Sequence, residues 1–219
     1  MNRWTMLVSL TLLVCSAQIL QAADIRLKNK AKVEGDVARV EDDYVYLRVP
    51  RQSIATVNGE ALPAPLAEGV QAPAFSVTDI AGATQAVGQG QGHVTVLHFW
   101  VQWCPHCRSD APKIQALYDQ YRDNPAVKIV TVNLDQKRAD VDAFVKEHRI
   151  NYPVIAAAEQ ASKPDGANLP ELYQINAFPV TYLIDAQGVI RQKFRGSFSE
   201  SGVDLAVLVT QLTSTGAGS

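Results

Sequence analysis

The sequence predicts a mixed α/β fold: a central mixed sheet flanked by helices, preceded by a small N-terminal β-meander. Three observations carry this reading. Residues 94–100 form an apolar run of strand length, and a segment with apolar residues at helical spacing follows almost at once. From residue 70 onward strand and helix patterns alternate, and the order then changes to two strands joined by a turn, which adds an antiparallel hairpin to a parallel array. Residues 24–58 instead alternate apolar with charged or polar side chains, the pattern of half-buried strands.

Residues 1–23 read as a secretory signal peptide, with Arg3 as a positive start, an apolar core over 6–14, and Ala22 and Ala23 as small residues near a cleavage point. The expected location is periplasmic or otherwise extracytoplasmic. The apolar run falls short of the roughly 20 residues that span a bilayer. Thr11, Ser16 and Gln18 dilute it further, so a retained membrane anchor is the weaker alternative. Val14 is bulkier than a lipidation site at Cys15 would want.

The β-rich module at 24–58 contains strand patterns at 25–27, 32–40, 44–49 and 54–57. About 35 residues rarely sustain a core alone, so the module is expected to pack on the larger domain or on another chain. Residues 59–69, with Pro63 and Pro65, read as a linker. The main domain is expected over 70–213. Its strands are predicted at 75–78, 94–100, 127–134, 180–185 and 189–195, with an extended stretch at 152–155. Its helices are predicted at 108–121, interrupted by Pro112, and at 140–149, 169–173 and 203–212. Val141, Phe144, Val145 and His148 share one face of the second helix. The small polar residues 214–219 read as a disordered tail.

Charge narrows the function. The chain carries a formal net charge of -2, and loss of the first 22 residues removes only Arg3, leaving 19 basic and 22 acidic residues. No dense Lys/Arg run with interleaved aromatics occurs, so nucleic acid is not the expected partner. No phosphate loop, dinucleotide fingerprint or catalytic serine motif stands out, nor any internal repeat.

The chemistry lies in Cys104-Pro105-His106-Cys107, two cysteines separated by two residues where a strand gives way to a helix. Unpaired N–H groups and the positive dipole end at a helix start stabilise negative sulfur, which favours a nucleophilic thiolate. A zinc site would need two more ligands. Cys15 is the sole other cysteine, and His93, His98, His106 and His148 form no second paired cluster. A bridge closing so short a loop constrains the unfolded chain little. An exported chain whose only remaining cysteines are this pair is therefore read as a redox catalyst, with no cofactor beyond the dithiol and no resident metal.

With these residues in hand, the chain resembles the thioredoxin superfamily, and within it the exported TlpA/ResA-like thiol-disulfide oxidoreductases, over residues 69–213. Gly69-x-x-Ala72-Pro73-x-Phe75 is similar to that family's leading segment, and Phe99-Trp100-x-x-Trp103-Cys104-x-x-Cys107-Arg108 to its active-site turn. Pro112 matches its helix kink, and the run from Phe178-Pro179-Val180 to Asp185 its cis-proline strand. The N-terminal module lies outside the resemblance.

The resemblance implies a thioredoxin-like fold and a set of roles. Cys104, nearer the helix start and the solvent, attacks a partner disulfide, and Cys107 resolves the mixed disulfide. His106 tunes the Cys104 thiolate. Pro179 in cis leaves the Phe178 backbone free to pair with an extended substrate, and Trp103 and Pro105 complete the substrate-binding surface. Asp110, three residues beyond Cys107, stands where ResA-like proteins often place a glutamate that assists the buried cysteine; a solvated charge is the other reading. His98 occupies the place of the buried acid of thioredoxins, as a proton relay or a hydrogen-bonded core residue.

The expected function is an exported, TlpA-like protein-disulfide reductase, with protein thiols and disulfides as substrates and a membrane-linked or protein electron donor. The Pro-His dipeptide resembles that of strongly oxidising DsbA proteins, so a disulfide oxidant is one alternative. A Cu(I) carrier using both thiolates and a histidine, or a partner-binding module on this scaffold, is another. The Pro-x-x-x-Thr-x-x-Cys setting of peroxiredoxins is absent.

Overall fold

The computed structural model describes residues 65–88, 90–163 and 167–216, together with strand backbones at 23–26, 32–41, 44–48, 56–57 and 60–61. The expected signal segment, apart from Ala23, and residues 217–219 lie outside the described residues. The chain divides between Ala64 and Pro65 into two units.

In the N-terminal unit, β1 (Ala23–Arg26), β2 (Lys32–Glu41) and β3 (Tyr44–Arg48) form an antiparallel sheet in that order. The β2–β3 register shifts between Val37 and Arg39. A second pair, β4 (Thr56–Val57) and β5 (Glu60–Ala61), is antiparallel. The expected module boundary at residue 58 therefore cuts a strand pair. Asn58-Gly59, a dipeptide suited to two-residue hairpin loops, separates the two strands and signals the pairing.

The second unit is built on a five-stranded mixed sheet. Its strands are β8 (Val94–Trp100), β9 (Val127–Asn133), β10 (Val154–Ala156), β11 (Val180–Ile184) and β12 (Ile190–Arg195), in the order β10-β9-β8-β11-β12. β8 runs parallel to β9 and antiparallel to β11, so the central strand joins the parallel half to the terminal hairpin. A separate hairpin pairs β6 (Phe75–Thr78) with β7 (Thr84–Val87), the latter unforeseen in the sequence.

Every residue of β8 is buried. Alternation then divides its side chains between two cores: Val94, Val96 and Trp100 serve one, Leu97 and Phe99 the other. Helices α1 (Pro105–Tyr121), α2 (Arg138–Glu147) and α5 (Leu205–Gly216) contribute Ile114, Leu117, Val141, Phe144, Leu205 and Val209 to the first core. The β6–β7 hairpin and helices α3 (Ala157–Ala161) and α4 (Leu169–Leu172) close the second, where Phe75, Phe99, Tyr173 and Tyr182 meet edge-on or tilted. Gly88 sits under the hairpin at φ 84°, and a Cβ there would lie 2.9 Å from both Ala74 Cα and Pro73 O.

The structure moves several expected boundaries. The linker does not reach Gly69: Leu66 is buried, Gly69 N–H donates to Ile190 O at 2.8 Å, and Ile190 N–H donates to Val70 O at 2.9 Å. This segment joins the domain through partners more than a hundred residues away, which local composition does not reveal. α1 begins at Pro105 rather than 108, because proline at the first helical turn gives up no needed donor. Pro112 does not end it. α5 runs to Gly216, three residues into the expected disordered tail, and Thr213 and Ser214 hydroxyls donate to Val209 and Gln211 carbonyls of the turn before them.

The central strand also buries a histidine. His98 on β8 lies opposite Thr181 on β11, its Nδ1 2.9 Å from Thr181 Oγ1, and its ring meets Phe198 edge-on. Burial pushes its pKa from 6.5 down to about 4, against a smaller upward pull from Asp110. His98 is therefore a neutral core residue at ordinary pH.

Two outcomes are expected. Ile114→Ala, at a fully buried position of α1, should lower the unfolding free energy by about 2–5 kcal/mol in urea titrations. Between pH 6.5 and about 4 the unfolded chain protonates its histidine while folded His98 stays neutral. Stability present at neutral pH is therefore lost as pH falls through that window, by on the order of 3 kcal/mol. His98→Asn should flatten this part of the pH–stability curve; an unchanged slope would remove His98 as its source.

Candidate active site

The dithiol stands at the C-terminal end of the central strand. Trp100 O accepts from Leu134 N–H at 3.0 Å, and Gln102 N–H donates to Asp135 Oδ2 at 2.8 Å, so the turn after β8 is tied to the end of β9. Asn133 Nδ2 donates to the same Asp135 oxygen at 2.7 Å, which holds that carboxylate in place. The chain then enters α1 with Cys104 as its N-cap in an extended conformation. Cys107 N–H donates to Cys104 Sγ at 3.4 Å, so the sulfur takes the position usually filled by a serine or aspartate oxygen. That N–H is one of the donors a helix start leaves without an intrahelical partner.

Both thiols are free. Cys104 is 6% exposed and Cys107 2%, so the expected ordering of the two holds, although Cys104 is itself buried rather than open to solvent. Burial, and then the neighbouring Cys104 side chain, push the Cys107 thiol well above its ordinary range, and Asp110 adds to the push. The two sulfurs are thus unlike: one sits on a donor at the helix start, the other is a protonated thiol in an apolar surround.

Around Cys104 the surface is apolar and accessible. Trp103 is 65% exposed and meets the half-buried Phe178 edge-on at 6.1 Å. Phe178–Pro179 is a cis peptide immediately before β11, with Pro179 buried and Pro105 exposed. Trp103, Pro105, Phe178 and Pro179 therefore lie at the same end of the sheet as the cysteines, contributed by the β8–α1 turn and the start of β11.

Asp110 is not a solvated helix-start charge. It is fully buried on α1, where Oδ1 accepts from Ser197 Oγ at 2.6 Å and Oδ2 has no hydrogen-bond partner among the described residues. His106 stands exposed on the first turn, and its Nδ1–H donates to Glu200 Oε1 at 2.7 Å. Ser197, Glu200, Asp135 and Thr181 were not singled out from the sequence. Ser197 and Glu200 lie some ninety residues beyond their partners in a loop without a motif, whereas an acid just past an apolar strand, like Asp135, is a recognisable signal. Among the described residues no three His, Cys, Asp or Glu side chains gather as a metal site.

The model of the AhpC/TSA family matches residues 69–193. The thiol-disulfide oxidoreductase ResA of Bacillus cereus is 30% identical over 128 residues, spanning 58% of this chain and 69% of that protein. Sporulation thiol-disulfide oxidoreductase A of Bacillus subtilis is 31% identical over 105 residues, 47% of this chain and 59% of the relative. Among solved structures, StoA from Bacillus subtilis superposes with a TM-score of 0.51 at 28% identity, covering 65% of this chain and 97% of its own. Five mixed strands, a dithiol capping the helix after the central one, and these likenesses converge: the chain has a thioredoxin-like fold and belongs to the AhpC/TSA family, among its ResA-like thiol-disulfide oxidoreductases.

Proposed function

We propose that this protein is an exported protein-disulfide reductase that acts through Cys104 and Cys107. The observation that carries the reading is the asymmetry of the two sulfurs: Cys104 caps the helix and accepts from Cys107 N–H, while burial keeps Cys107 a thiol. Cys104 as thiolate attacks one sulfur of a substrate disulfide, forming a mixed disulfide and releasing the other substrate sulfur, which takes up a proton. Cys107 then loses its proton and attacks Cys104 Sγ. That step breaks the mixed disulfide, frees the second substrate thiol and leaves a Cys104–Cys107 disulfide. Two electrons have passed to the substrate, and a donor dithiol must return them.

Asp110 is the proposed acceptor of the Cys107 proton. It is a buried carboxyl three residues along the same helix, with one oxygen unpartnered among the described residues and an electrostatic influence on Cys107. Trp103, Pro105 and Phe178 offer the apolar surface for the polypeptide around the substrate cysteine, and Pro179 fixes the chain beside it. Protein disulfides are the proposed substrates, and a membrane-linked or protein dithiol the donor. Export rests on the leader-like residues 1–23; among the described residues no helix is long and apolar enough to cross a membrane. One observation favours the opposite direction: a histidine between the cysteines, as in the oxidising DsbA proteins.

Two measurements test the reading. Cys104→Ser should abolish turnover of a disulfide substrate, whereas Cys107→Ser should accumulate a mixed disulfide visible by mass; the reverse pattern would overturn the nucleophile assignment. Equilibration with glutathione or dithiothreitol should give a reduction potential near or below about -250 mV, and a value near about -120 mV would make the protein an oxidant.

A further inference from the structure

The Pro105-His106 dipeptide, taken alone, belongs with oxidants, because an imidazolium beside Cys104 stabilises the thiolate and with it the reduced state. The structure puts an acid on that histidine. His106 Nδ1–H donates to Glu200 Oε1 at 2.7 Å, from a loop over residues 196–202 that follows β12. The loop is fastened on several sides. Gly196 N–H donates to Pro179 O at 2.8 Å, Phe198 is buried with its ring edge-on to His98, and Ser201 Oγ donates to Phe198 O at 2.7 Å. Ser197 Oγ donates to Asp110 Oδ1 at 2.6 Å and accepts from Glu200 N–H at 3.3 Å. One short loop thus touches His106, between the two cysteines, through Glu200, and Asp110, three residues beyond Cys107, through Ser197.

We propose that Glu200 is a positioning residue that offsets the charge of His106 and so keeps the Cys104–Cys107 pair reducing. The proposal rests on the reductase reading and supplies what reconciles it with the Pro-His dipeptide. A carboxylate 2.7 Å from the ring leaves the pair with no net charge when the ring is protonated. The field reaching Cys104 is then that of a dipole, which falls off faster than that of a single charge. The hydrogen bond also commits Nδ1–H to Glu200, so that proton is not donated to sulfur. Each partner is 56% exposed, so solvent and salt screen the effect, and its size is modest.

The test compares glutathione equilibria of the wild type, Glu200→Gln, Glu200→Asp, His106→Ala and the His106→Ala/Glu200→Gln double variant. Glu200→Gln should shift the equilibrium constant about threefold or more toward the oxidising side. Glu200→Asp, which keeps the charge, should stay near the wild type, and Glu200→Gln in the His106→Ala background should change nothing. Raising the salt from about 0.1 to about 1 M should shrink the wild-type to Glu200→Gln difference. No shift in Glu200→Gln, a shift toward the reducing side, or an equal shift without His106 would each overturn the proposal. The wild-type potential alone decides the reductase reading, whereas the difference between variants decides the role of Glu200, so the two fail separately.

Discussion

The hydrogen bond from Cys107 N–H to Cys104 Sγ is the contact on which the site depends, because it makes the first cysteine part of the helix start rather than a passenger on it. An N-cap must sit where the chain leaves an extended conformation, and β8 provides that point by ending in the middle of the sheet. Burial of β8 on both faces fixes the strand, and the strand fixes the cap. The carbonyl of Trp100 and the amide of Gln102, both bound to the segment after β9, remove what freedom the intervening turn would have.

From that cap the two thiols acquire different chemistry over a distance of one helical turn. Cys104 follows the exposed Trp103, whose ring meets Phe178, and its sulfur has a donor. Cys107 turns into the core with Val96, Trp100 and Ile114, where water cannot solvate a thiolate. The two cysteines share one buried cluster, and what separates them is that Cys104 is the helix cap while Cys107 lies inside the first turn. Asp110, one further turn along, is the only polar group so far inside α1 and is held there by a serine from outside the helix.

The loop at 196–202 gives the terminal hairpin a part in the site beyond completing the sheet. β12 is an edge strand, yet the residues after it reach back across β11 to α1, and glycines at φ 90° and 73° let the chain turn at either end of the loop. The family match at residues 69–193 ends just before this loop and begins after the N-terminal strands. Glu200 and the module at 23–61 are thus features of this chain outside the region that defines the family.

Much of this was legible in the sequence. Residues 94–100 form the strand expected of them because a seven-residue run rich in apolar and β-branched side chains is too short for a helix and suits burial on both faces of a sheet. The Cys104-x-x-Cys107 spacing declared itself through chemistry local to a few residues, and the Phe178-Pro179 pair through its resemblance to the family's cis-proline strand. β7, α3 and the pairing of residues 69–72 with β12 did not, since short polar stretches acquire structure only when distant carbonyls and amides meet them. The sequence by itself determined the pair of cysteines and the strand–helix junction that carries them. Tertiary structure alone decided that Asp110 is buried rather than solvated, that His98 is a neutral core residue, and that Glu200 reaches His106. Burial and charge contacts are set by folding across some ninety residues, and no periodicity within a segment encodes them.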